Sequence, residues 1–126
     1  MTAPERTRDV IDIAGKFSHI TDLWSPRIVA AFNDNHVKLA RIEGEFVWHR
    51  HDDTDELFIV HSGHLRIEMK DRTVALGPGS LFVVPRGAPH RPVADGPVEL
   101  ILIEPRGTRN TGDVIDARTV DDECWI

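Results

Sequence analysis

Between Ile28 and Ile103 the chain is cut into nine short apolar or alternating runs by Gly, Pro, Asn and Asp, and no helical period survives the breaks. Runs of this kind are the signature of an all-β sandwich or barrel. They are Ile28–Phe32, Val37–Ile42, Phe46–His51, Glu56–His61, Leu65–Lys70, Thr73–Leu76, Leu81–Val84, His90–Val93 and Val98–Ile103. Leu65, Ile67 and Met69 alternate with Arg66, Glu68 and Lys70, so the period of two puts one face in a core and the other in water. Asn33-Asp34-Asn35, Lys70-Asp71-Arg72 and Gly77-Pro78-Gly79 supply turns. So many strands in so short a span would leave exposed edges in an open sheet, and closure into a small barrel or double-sheet jelly roll is expected.

A length of 126 residues fits a single domain, with its core at about 28–104. Residues 1–27 read as an N-terminal cover segment with one helical turn around Ile13 to Ile20, where Ile13, Phe17 and Ile20 recur at helical spacing. Residues 105–126 read as a polar C-terminal tail or cover whose apolar anchors are Val114, Ile115, Val120, Trp125 and Ile126. A net charge of -6 without a basic stripe argues against nucleic acid and anionic membrane as partners. The longest apolar runs fall far short of the ~18 residues of a membrane span, and the polar start shows no secretory signal. Cys124 is the one cysteine, which excludes an internal disulfide and makes the reducing cytoplasm the expected compartment.

The chemistry is concentrated in residues 44–56. On a strand, His49 and His51 would project from one face, roughly 6 to 7 Å apart at the backbone, and both imidazoles could converge on one ion. Asp52 to Asp55 reads as a solvated turn that returns the chain and starts the neighbouring strand at Glu56. Two imidazoles and a carboxylate with vacant positions suit iron, zinc, manganese or nickel. Further on, Leu81 to Val84 ends in Pro85-Arg86-Gly87-Ala88-Pro89, a turn that delivers His90.

These two clusters resemble the motifs of the cupin superfamily, and the chain is similar to its small single-domain microbial members. The first match runs His49, His51, four residues, Glu56, six residues, Gly63; the second runs Gly79, five residues, Pro85, Gly87, two residues, His90. Gly44 precedes His49 by four residues where the family has five, and Ala94 stands where the second motif ends in Asn. The resemblance implies a double-stranded β-helix holding one divalent transition metal per chain, Fe, Mn, Ni or Zn, on His49, His51, Glu56 and His90. The remaining histidines, His19, His36, His61 and His64, are expected to be solvated or hydrogen bonded, with His61 pointing outward.

Four protein ligands would leave one or two metal positions open to water, dioxygen or a substrate oxygen. Strand parity predicts apolar walls from Val47, Phe58 and Val60, with Arg41 or Arg27 as a carboxylate anchor. The expected partner is a small molecule. The expected activity is that of a metal-dependent enzyme, dioxygenase-like on a diketone or enediol-like substrate. The alternatives are a non-catalytic, metal-assisted binding domain for a sugar or small acid, and a sugar isomerase or lyase of the same fold. Phe46 and Trp48 have the opposite parity from His49, so an outward aromatic pair is expected to pack under the N-terminal segment or to form a homodimer surface.

Overall fold

Turn chemistry and alternation set the element order. The structure is a computed structural model that describes residues 9–126. One helix, α1 (Ile13–Phe17), precedes eight strands: β1 (Arg27–Phe32), β2 (Asn35–Glu45), β3 (Glu56–Ser62), β4 (Leu65–Met69), β5 (Thr73–Leu76), β6 (Leu81–Val84), β7 (His90–Pro105) and β8 (Cys124–Trp125). They pair in the order β5-β4-β7-β2-β1-β8, with β3 paired to β7 and β6. The all-β jelly-roll wrap is as expected, but the ladder does not close on itself. Among the described residues β5, β6 and β8 each pair on one side only, and each is four residues or shorter, which limits the exposed edge. No helix among the described residues is long and apolar enough to cross a membrane.

The two runs expected at His90–Val93 and Val98–Ile103 are one strand of 16 residues. Its first part pairs with β4, its last part with β3, and β2 runs beside both. The join at Asp95-Gly96-Pro97 is a bulge, because Ile42 pairs with Val98 and Gly44 with Ala94. There the missing N–H of Pro97 interrupts no regular ladder bond. The corner is tight: a Cβ on Gly63 would sit 2.3 Å from the Pro97 carbonyl oxygen, and Gly63 has a φ of +88°.

Alternation fixes the two faces. Ala40 and Ile42 of β2, Phe58 and Val60 of β3, and Leu100 and Leu102 of β7 point inward and form the main core. Leu39, Val29 and Ile101 point outward and are covered by Phe17 and Ile20, so the N-terminal segment caps the outside of the sheet. The C-terminal segment is also a cover. It is held less by apolar anchors than by polar ones, since Ile115 is 75% exposed whereas Thr111 is fully buried, its hydroxyl 2.6 Å from the Val114 carbonyl oxygen and 2.7 Å from Thr119 Oγ1. The segment ends in β8, paired parallel to β1.

Candidate metal centre

Gly44, with a φ of +87°, follows a register shift in β2, which pairs on through Gly44 with Ala94 and Glu45 with Val93 and ends there. Residues 46–48 are therefore not strand. Phe46 N–H still donates to the Pro92 carbonyl at 3.0 Å, and His49 bridges back by exchanging N–H···O bonds of 3.0 and 2.9 Å with His90. The inward parity slips by one between Phe46 and His49, and this corrects the expectation for Phe46. Phe46 is buried and stacks on Trp24 at 4.6 Å, rather than facing out. Trp48 is half-buried beneath Lys70, whose Nζ lies 4.0 Å from the ring centroid. The aromatic pair that pointed to a homodimer surface is thus not formed.

His49, His51, Glu56 and His90 come from this segment, from the start of β3 and from the start of β7. Each offers one ligand atom, and the four atoms lie within 4.8 Å of one another. All four residues are buried. The Nδ1 atoms of His49 and His90 lie 2.9 Å from the Val47 carbonyl oxygen and 3.0 Å from that of Ala88. Donation there leaves the Nε2 lone pairs free to ligate. His51 Nε2 and His90 Nε2 lie 3.3 and 3.4 Å from Glu56 Oε1, and all three atoms are buried with no hydrogen-bond partner among the described residues. Buried polar atoms without partners are costly, and a divalent cation at their centre would satisfy them together, so the donor set fits a metal. Burial first, and His90 second, lower the His49 pKa to about 4, which leaves its imidazole neutral and ready to ligate near neutral pH.

Behind Glu56 stands a second layer that the sequence reading missed. Continuing the β3–β7 register beyond Leu57 and Ile103 places Glu104 directly opposite Glu56. Lys38 Nζ, fully buried, lies 3.0 Å from Glu104 Oε2 and 2.6 Å from Glu123 Oε1. Burial and the neighbouring Glu56 charge push the Glu104 carboxyl well above the usual range. Burial acts on Glu56 in the same direction, but the polar side chains of Glu104, His51 and His90 beside it hold it well below. The signal was present in the alternation: Lys38 shares the inward parity of Ala40 and Ile42, and Glu104 that of Leu100 and Leu102.

On the His49 and Glu56 side the site opens into an apolar chamber walled by Trp24, Ile42, Phe46, Phe58, Leu100 and Leu102. The chamber is small, with a cavity volume of about 30 Å³. Of the expected walls, Phe58 lines it; Val60 is buried in the core beyond it, and Val47 contributes only its carbonyl. The two arginines are not anchors. Arg41 has odd parity on β2 and its guanidinium bonds the carbonyls of Phe17 and Ile20 and pairs with Glu99. Arg27 is held by Asp22 and Ser25. A separate polar groove between residues 50–54 and 105–113 reaches His51 from outside.

The C-terminal segment presses on the ligand loop. Arg50 N–H donates to Asp113 Oδ1 at 2.9 Å and Asp113 N–H to the Arg50 carbonyl at 3.1 Å. A Cβ on Gly112 would lie 2.2 Å from the same carbonyl oxygen, at a φ of +57°. Gly112→Ala is therefore expected to destabilise the protein by about 1–3 kcal/mol. It should also weaken metal binding, because Arg50 sits between His49 and His51; denaturant midpoints and metal titrations check both effects.

Residues 35–104 match the cupin domain family. The chain belongs to that family. A crystal structure of a cupin-2 domain containing protein from Shewanella frigidimarina is 46% identical, with a TM-score of 0.76 over 77% of this chain and 95% of that one. The protein NMB1881 from Neisseria meningitidis shares the fold at 24% identity, with a TM-score of 0.72 over 77% of this cupin and 99% of that chain. KdgF from Halomonas sp. is similar at 26% identity, with a TM-score of 0.56 over 64% and 77% of the two chains. An uncharacterized protein of Bacillus subtilis, YdbB, is 44% identical over 64 residues, half of this chain and 57% of that protein's own length. In this cupin, as in the motif, the ligand positions fall on separate elements that the jelly roll brings together.

Proposed function

We propose that this cupin is a metal-dependent enzyme acting on a small oxygenated compound, with dioxygenase-like chemistry on a diketone or enediol-like substrate as its concrete form. The observation that carries the reading is the set of three buried, partnerless donor atoms on His51, Glu56 and His90, beside a chamber that reaches His49 and Glu56. A bound Fe, Mn, Ni or Zn ion would supply Lewis acidity or a position for an oxygen ligand. His49, His51, Glu56 and His90 would hold it. The chamber walls exclude bulk water, which strengthens electrostatic interactions within. Glu104 stands opposite Glu56, its carboxyl pushed well above the usual range while that of Glu56 is held well below it.

The test is metal-by-metal. Protein stripped and reloaded with Fe(II), Mn(II), Ni(II) or Zn(II) is expected to consume oxygen with at least one member of a panel of small diketones and enediols. A ligand-deleted variant should not. Saturable binding of a sugar or small acid without turnover under any metal would instead support the binding-domain reading, and ketose–aldose exchange without oxygen uptake would support an isomerase.

A further inference from the structure

The chamber restricts the charge of what it can hold, and this inference rests on the metal-site reading above. Its walls are aromatic and aliphatic; the polar residues that line it are His49, Glu56 and Asn110. Asn110 has no amide hydrogen left for an anion, because its Nδ2 donates to the Arg118 carbonyl at 2.8 Å and to the Trp24 carbonyl at 3.4 Å, and its Oδ1 accepts from Val120 N–H at 2.9 Å. Among the described residues every nearby cation is committed elsewhere. Lys38 sits between Glu104 and Glu123, Arg41 on the carbonyls of α1 and its C-terminal flank, and Arg27 on Asp22. Arg118 lies outside the Phe46 ring and bonds the Glu45 carbonyl and Asp116. Three neutral imidazoles and one carboxylate around a divalent ion leave a single net positive charge at the chelating end. A second anionic group in the chamber would meet no donor and no cation, and burying it would be strongly unfavourable.

We propose that the chamber takes a small oxygen chelator with at most one negative charge, located at the metal, and an uncharged apolar tail. Sugar phosphates, uronates and dicarboxylates are excluded by the same chemistry, and the small free volume disfavours a polyhydroxylated ring. Two 2-oxo acids with the same chelating head test the point: 2-oxopentanoate ends in a methyl and 2-oxoglutarate in a carboxylate. Wild-type protein is loaded with Co(II), its cobalt content is measured, and both acids are titrated by calorimetry and by the cobalt absorption bands. 2-Oxopentanoate is expected to bind at least about tenfold more tightly. Equal or tighter binding of 2-oxoglutarate, as would occur if the tail lay in the outer polar groove, overturns the proposal, and so does cobalt-loaded protein whose spectrum neither acid changes. Failure to take up cobalt overturns the metal reading itself, and the cobalt measurement separates that outcome from the others.

Discussion

His51→Ala is expected to abolish stoichiometric metal binding, lowering affinity for a divalent transition ion by more than about 100-fold, since loss of a mere outer partner of a ligand costs 10- to 100-fold. His51 is the suitable residue because its ring lies at the edge of the polar groove, so its removal opens little of the apolar core. In the wild type, saturating metal should raise the melting temperature. At 100 times Kd the linkage is about 2.7 kcal/mol. In the variant this increment should vanish while the metal-free melting temperature changes little. Dialysis followed by elemental analysis, with melting curves at increasing metal, reads both quantities. Undiminished metal content in His51→Ala would mean that the four side chains are not a common cage.

The second large effect concerns Lys38. Lys38→Met leaves the Glu104 and Glu123 carboxyls buried without their cation, and deleting one partner of a buried pair typically costs about 3–5 kcal/mol. The loss depends on pH, and its sign follows from the two carboxyls. Burial raises Glu123, and Glu104 is raised further by Glu56. Without the ammonium both rise again. A carboxyl whose folded pKa exceeds its unfolded one favours folding while protonated, below the unfolded value, and loses that contribution as pH climbs through the folded value. The gap between variant and wild type is thus expected to be widest at alkaline pH and to shrink as pH falls through the raised wild-type values of Glu104 and Glu123, which lie above the ordinary carboxyl value of 4.5. Urea denaturation at pH 4, 5.5, 7 and 8.5 measures it. A constant gap across that series would show that the carboxyls do not respond to Lys38.

Much of the fold was legible because alternation is a local signal. Thr73–Leu76 and Leu81–Val84 keep their boundaries, and Leu65, Ile67, Ala40 and Ile42 face inward as parity demands. The ligand residues were legible through two compact motifs. What escaped was set by bulges. One lies opposite Ile42 and Gly44 and merges two apparent strands across Pro97; the other irregularity is the loss of the ladder after Glu45, where the inward parity slips by one between Phe46 and His49. Neither leaves a periodicity to read, since a bulge adds residues to one strand without a counterpart on the other. Arg41 illustrates a further limit: its parity excludes it from the chamber, but only the position of α1 shows which carbonyls it satisfies. The chamber's Trp24 and Asn110 come from segments with no strand pattern, and long-range folding alone brings them together.

A straight strand would separate His90 from Glu104 by about 45 Å, yet both side chains reach the same carboxylate on Glu56. The bend at Asp95-Gly96-Pro97 therefore acts as a spacer: its angle determines how far the His90 imidazole and the buried Glu104 carboxyl stand from each other. Changes confined to that bend, remote from any donor, would retune the cage without replacing a member of it.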